Sequence, residues 1–265
     1  MFDSIAEMTK EIVSILGGNV HSIWLYGSVV QDDFRLGWSD IDFIALSSST
    51  ITEEQARLLL DLRGRLSAEY PFVPYFKCFE GIIASFDEFE ARKFTRLVYW
   101  GTTGQRVTDR CDLDAFAMFQ LANYGVSVYG SRDRSIFALP SREELLAAVR
   151  RHLDAIRLYA KQTDESLYSC GWLLDIARCV YTVRHNDVIS KTAAGEWALK
   201  ERLFADEAPL IKTLSIRREP RKYVKNQEIM QWLASLGPTV QRYADVLEAE
   251  LETCFGNIAS QYSKY

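Results

Sequence analysis

Two aspartates separated by one apolar residue, Asp40-Ile41-Asp42, are the residues in this chain whose type and spacing most directly suggest chemistry. They enter an apolar run that reads as a buried strand. On a strand, residues two apart point to the same face, so both carboxylates project side by side while Ile41 faces the other way. Carboxylates held that close repel unless one is protonated or a cation lies between them. Hard oxygen donors suit Mg2+, which takes one or two carboxylates and completes its shell with phosphate oxygens and water. Upstream, an earlier apolar run stops at Gly27-Ser28, and eleven residues (29–39) separate that pair from Asp40. Glycine lets the backbone approach a phosphate, and a serine opening a helix offers its hydroxyl and free N–H groups to an anion. Gly27, Ser28 and Ser39 are therefore candidate nucleotide-binding residues, and Asp40 and Asp42 candidate metal ligands. A lone Asp-x-Asp at a strand end is common and a lone Gly-Ser commoner still; the argument rests on their conjunction.

That conjunction (strand, Gly-Ser, polar connection, Asp-apolar-Asp, strand) resembles the nucleotidyltransferase superfamily typified by DNA polymerase β. A third strand is expected over 75–84, placing Phe76, Cys78, Glu80 and Ile82 on one face. A carboxylate among apolar neighbours is costly unless paired or liganded. The bland alternatives are a solvated face or an ion pair with a nearby arginine. Superfamily resemblance implies that an acid on this strand joins the aspartate pair at the metals, which makes Glu80 the candidate third ligand. Asp87 and Glu88 are poorer candidates because they open the following helix, where acids suit the dipole.

Totals bound the rest. A chain of 265 residues, 48% hydrophobic and 25% charged, is long enough for one large domain or two ordinary ones with real cores. The N-terminus lacks a basic-then-apolar leader and no stretch reaches membrane-spanning length, so a cytoplasmic protein is expected. Five scattered cysteines form no C-x-x-C pair and read as reduced core residues, neither disulfide frame nor zinc site. A net charge of −5 argues against duplex nucleic acid as the main partner. His21, His152 and His185 lack partners at metal-ligand spacing.

The elements that must position these residues follow from periodicity. A helix over 3–16 stops at Gly17-Gly18 and precedes a strand over Val20–Tyr26. Thr52 and Gln55 form a capping box for a helix to about Tyr70, with Ala56, Leu59, Leu60 and Leu66 inward. Residues 86–100 read as helical, followed by a Thr/Gly turn at 101–104. A further helix opens at Asp112 or Asp114, and 125–130 is a short apolar segment ending in glycine. The second Tyr-Gly-Ser, at Tyr129, has no Asp-x-Asp after it and is assigned to a turn. From Ser141 the texture is helical: a capped helix (Ser141 with Glu144), a central apolar helix over 167–184, a helix capped by Ser190 running to about Leu203, and breaks at Pro209 and Pro220. Closing helices over 226–255 are interrupted at Gly237-Pro238, and 261–265 is expected to fray. The expected organisation is an α/β (α+β) nucleotidyltransferase domain with a mixed sheet over 1–140 and an all-α helical bundle over 141–265.

The helical half sharpens the resemblance. Ala177-Arg178, Tyr181, Ser190-Lys191, Ala193-Ala194 and Glu196-Trp197-Ala198 stand in the order of the corresponding segment of the streptomycin/spectinomycin adenylyltransferases. That family also has an apolar-glycine segment like 125–130 and the motif at 27–42, so the likeness spans nearly the whole chain. The 191–198 part is the more specific. The likeness implies transfer of AMP from ATP to a hydroxyl of a cationic aminoglycoside or aminocyclitol, releasing pyrophosphate, and hence an antibiotic-modifying enzyme. It implies Asp40, Asp42 and Glu80 at Mg2+ (two ions), Glu80 also as general base, Gly27-Ser28 at the outer phosphates, and Lys191 on triphosphate oxygens. Trp100 could stack on a drug ring, although core packing is the blander reading. Which of Asp164, Glu165 and Asp175 would grip a cationic drug is open. The family tyrosine that reaches the phosphates stands replaced near Arg217-Arg218, which could contact triphosphate or lie on a solvated face. A monomer is expected, with ATP and a cationic small molecule as partners and neither nucleic acid nor membrane. Other readings are a nucleotidyltransferase with another acceptor (a lincosamide, a metabolite or a protein hydroxyl) and a non-catalytic, antitoxin-like nucleotide-binding module.

Overall fold

The computed structural model describes residues 1–101, 104–111 and 113–262, the side chains of 255–262 aside. The alternative helix start at Asp112, the middle of the turn at 102–103 and the end of the tail, 263–265, lie outside the described residues. Two compact units result: residues 1–34 with 39–139, and residues 35–38 with 140–265.

The first unit is a six-stranded mixed sheet with helices on both faces. Its strands are β1 (Val20–Tyr26), β2 (Ile41–Ser47), β3 (Phe79–Ser85), β4 (Leu97–Gly101), β5 (Gly104–Thr108) and β6 (Val126–Gly130), in spatial order β5-β4-β3-β2-β1-β6. Among the described residues only β2 and β3 run parallel. A parallel pair needs a crossover, and α2 (Glu53–Glu69) supplies it. The Thr52–Gln55 capping box forms as expected, satisfying donors at the start of α2. Its inward row is Ala56, Leu59, Leu62 and Leu66, so Leu62 takes the place expected for the half-buried Leu60. Pleat alternation sorts the strands cleanly. Ile23, Leu25, Ile41, Phe43, Phe79 and Ile83 pack on α2 and α1 (Phe2–Leu16), while Trp24, Tyr26, Ile44, Leu46 and Ile82 pack beneath α3 (Phe86–Glu90) and α4 (Ala115–Tyr124).

Three expectations are corrected. Residues 74–78 form a 3-10 turn led by Pro74, so the third strand starts only at Phe79. The helix expected over 86–100 ends at Glu90; Arg92 turns the chain with a left-handed φ of 51°, and the branched and aromatic run that follows becomes β4, with Val98 opposite Ile83. Tyr129 and Gly130 belong to β6 rather than to a turn, pairing with Ile23 and Ser22.

The second unit is helical: α5 (Arg142–Tyr159), α6 (Tyr168–His185), α7 (Lys191–Lys200), α8 (Ala208–Arg218), α9 (Pro220–Tyr223), α10 (Gln227–Ala234) and α11 (Gly237–Tyr262). Ser141 and Ser190 cap α5 and α7, and Pro209 and Pro220 sit in the first turns of α8 and α9, where a missing N–H costs nothing. Apolar on most sides, α6 is the centre, packing against α5, α7, α8, α10 and α11. Among the described residues no helix is long and apolar enough to cross a membrane.

Candidate active site

One edge of the sheet gathers the end of β1 and the starts of β2 and β3. Across β1 and β2, Tyr26 is the register partner of Asp42; across β2 and β3, Asp42 is the partner of Glu80. Neighbouring strands lie about 4.8 Å apart, and all three residues share the face of Trp24, Ile44 and Ile82. Asp42 and Glu80 therefore stand side by side at the half-exposed end of a face whose interior is buried. Glycine at 27 is required here for a reason the sequence did not reveal. Its φ is +70°, and a Cβ would fall 2.1 Å from Oδ2 of Asp42. The absent side chain is the space in which the Asp42 carboxylate lies. Ser28 sits in the 3-10 turn Gly27–Val29 and donates its hydroxyl to the Asp40 carbonyl at 3.3 Å, tying the end of β1 to the residue before β2. Ser39, beside it, is buried.

Asp40 is differently placed. It precedes the first residue of β2, so the ladder that aligns Asp42 with Glu80 does not govern it. The three acids are not gathered into one cluster: among the described residues no three His, Cys, Asp or Glu side chains stand where they could hold a metal ion. Asp40 is nonetheless near, because its charge and that of Glu80 both act on the Arg63 guanidinium. The donor set suits Mg2+: hard carboxylate oxygens in ones and twos, with the glycine at 27 leaving the Asp42 carboxylate its place. Asp40 and Asp42 would hold such an ion, with nucleotide phosphates completing its shell.

Two residues at this edge, Tyr26 and Arg63, escaped sequence reading as site residues, and a third, Asp114, is expected from the sequence only as a helix start. Tyr26 is buried, and its phenol is held well above its ordinary value by burial first and then by the charges of Asp42, Glu80 and Asp114. It keeps its proton beside those acids. Arg63 reaches from α2 to the Phe79 carbonyl at 2.8 Å and to Oε1 of Gln105 at 3.1 Å, fixing the backbone next to Glu80; burial lowers its ordinary value, partly offset by Glu80 and Asp40. Asp114 caps α4 by accepting from the Ala117 amide. Tyr26 has a local signal, the residue preceding the Gly-Ser bend. Arg63 has none, since its partner is sixteen residues away.

Of the two readings given for Trp100, stacking on a ligand and core packing, the second holds. Trp100 pairs with Gly81, whose parity places it on the opposite face from Asp42 and Glu80, and its fully buried indole packs 5.3 Å from Phe43. A ring enclosed in that way cannot stack on a ligand.

In the helical unit, Lys191 opens α7, where a cation opposes the helix dipole. Asp175 compensates, accepting from Nζ of Lys191 at 3.1 Å and from Arg178 at 2.9 Å. Burial alone would raise the Asp175 carboxyl, but Lys191 and Arg178 outweigh it and hold it at about 2. Arg217 is buried, donating to Thr192 at 3.0 Å, and Arg218 pairs with Glu196 at 2.7 Å in the open.

Residues 135–250 match the sequence model of the aminoglycoside adenylyltransferase C-terminal domain. Among solved structures, the spectinomycin adenyltransferase AAD(9) from Enterococcus faecialis, determined with ATP and spectinomycin, is similar over 94% of this chain and 99% of its own at 14% identity, with a TM-score of 0.61. That likeness establishes a shared fold. A toxin–antitoxin structure with AMP-PNP covers 57% of this chain and 90% of its own at 16% identity, with a TM-score of 0.28. None of the curated protein sequences matches.

Proposed function

We propose that this chain, whose residues 135–250 match the aminoglycoside adenylyltransferase C-terminal domain, is an ATP-dependent adenylyltransferase that moves AMP from ATP to a hydroxyl of a cationic aminocyclitol or aminoglycoside. The observation that carries this reading is the alignment of Asp42 with Glu80 on one face, beside a glycine whose missing side chain makes room for the Asp42 carboxylate. In the reaction, the acceptor oxygen attacks the α-phosphorus. The bond from that phosphorus to the oxygen bridging to the β-phosphorus breaks, and its electron pair leaves with pyrophosphate. Glu80 takes the acceptor proton, a general-base role worth on the order of 10²–10⁴ in rate. Mg2+ bound at Asp40 and Asp42 would orient the triphosphate and offset its charge. Gly27 and Ser28 keep the bend beside Asp42 in shape, and Tyr26 and Arg63 contribute a donor and a cation to an acidic edge. Work in the cytoplasm, where ATP is abundant, belongs to the same proposal.

Incubating the protein with ATP, Mg2+ and a panel containing spectinomycin, streptomycin and other aminoglycosides should release pyrophosphate with at least one acceptor. Release should vanish with Glu80→Gln. Silence across the panel would reject the acceptor class, and pyrophosphate release unaffected by Glu80→Gln would reject the site.

A further inference from the structure

On the side of Glu80 away from the Gly27-Ser28 bend, the sheet continues into β4 and β5. Register pairs Gly81 with Trp100 and Ile82 with Tyr99, so the same ladder carried one step on sets Gly101 beside Glu80. Tyr99 is half-buried on the face that holds Ile82 and Glu80. Its ring leans along β4 over Gly101: a Cβ at 101 would fall 2.0 Å from the phenol oxygen and 2.3 Å from the ring carbon that bears it. The glycine thus gives the hydroxyl its place next to Glu80, as Gly27 gives the Asp42 carboxylate its place on the other flank. Arg106, the register partner of Tyr99 on β5, holds its guanidinium 4.2 Å from the centre of the ring. The phenol is felt at the same edge as the acids: burial lowers the Arg63 guanidinium, and Glu80, Asp40 and Tyr99 each raise it in turn.

A glutamate side chain has several rotatable bonds, and a base works only when its carboxylate is held toward the proton it takes. Misplacing a reacting group by about 1 Å can cost on the order of 10² in rate. We propose that Tyr99 is a positioning residue for Glu80: its hydroxyl donates to one carboxylate oxygen and leaves the other to face the acceptor, with Gly101 and Arg106 fixing the ring. Strand order puts this contact on the flank opposite the Gly27-Ser28 bend, which is the side left for an acceptor when triphosphate lies against that bend. This role rests on the reading of Glu80 as general base. Tyr99 acts through Glu80 and touches neither ATP nor the acceptor, so its contribution belongs to kcat.

Kinetics and NMR on the full chain test it. In Tyr99→Phe, which keeps the ring, kcat for pyrophosphate release should fall about ten-fold, the scale of one hydrogen bond to a charged group, with the KM for ATP and for the acceptor unchanged. Arg106→Gln should lower kcat by a smaller factor, about two- to three-fold, through loss of an exposed cation over the ring. NMR needs no turnover. With glutamate isotope-labelled at its side-chain carboxyl, the Glu80 resonance, identified by its absence in Glu80→Gln, should move in Tyr99→Phe while the other glutamate resonances stay in place. A role for Tyr99 in packing alone would leave that resonance where it is. Full kcat in Tyr99→Phe beside an inactive Glu80→Gln would overturn the positioning role and leave the proposed function standing. A rise in either KM with kcat retained would make Tyr99 a substrate contact and overturn it as well. Turnover indifferent to Glu80→Gln, or none with any acceptor, would reject the proposed function, and the contact between Tyr99 and Glu80 would then stand or fall on the carboxyl resonance alone.

Discussion

The two units treat acidic side chains in opposite ways. In the helical unit, Asp175 lies between two cations, Lys191 and Arg178, and their attraction exceeds the cost of its burial. At the sheet edge, Asp42 and Glu80 are set acid beside acid by strand register, with Asp40 just ahead of them. The first arrangement is internally neutralised. In the second, strand register sets Asp42 beside Glu80, and the charges of Glu80 and Asp40 act on the Arg63 guanidinium reaching over from α2.

Substitutions should separate the two regions. The largest effect is expected from Asp42→Asn and Glu80→Gln, each lowering AMP transfer by about 10²–10⁴ with little change in melting temperature. Pyrophosphate release and thermal melts read both quantities; a large fall in melting temperature would make these acids structural and erase the contrast. Trp100→Ala should do the reverse, costing about 3–5 kcal/mol of stability in denaturant unfolding with the KM for ATP unchanged. A changed KM would return Trp100 to the site.

Asp175→Asn should cost about 2 kcal/mol at neutral pH, the linkage equivalent of a carboxyl held at about 2 against an ordinary 3.8. Because the folded value is the lower one, that contribution is fully present above pH 3.8 and is lost as pH falls toward 2. The stability gap between Asp175→Asn and the parent should therefore close over that window, and a gap constant from pH 5 to pH 2 would remove Asp175 from the neutralised class. The smallest effect is expected from Thr52→Ala, about 1 kcal/mol from a lost cap, with no change in catalysis.

Legibility in the sequence followed the range of the forces involved. Caps and breaks are local, so Thr52, Ser141, Ser190 and the prolines marked their helices correctly. Strand period is local as well and placed Asp42 on its face, whereas Asp40 precedes the first residue of β2 and that period does not govern it. The strand β4 was missed because its aromatic run imitates a helical stripe, and only pairing with β3 settles its conformation. Glu80 could be singled out by type, but its alignment with Asp42 is a register property that no short stretch encodes. The choice between stacking and core packing for Trp100 is settled the same way, since one-residue parity against Gly81 decides which face it takes. The turn at 35–38 carried no sign that it packs with the helices, because Trp38 finds Gly171 and Arg217 only in three dimensions.

The claim on which the account turns is that the acidic edge is a seat for magnesium-bound ATP. Calorimetric titration of a non-hydrolysable ATP analogue, with and without Mg2+, addresses it directly in the parent protein and in Asp42→Asn. The account predicts binding that requires Mg2+ in the parent and is lost or made indifferent to Mg2+ in Asp42→Asn. Equal affinity with and without Mg2+ in the parent, or an unaltered Mg2+ requirement in Asp42→Asn, would contradict it.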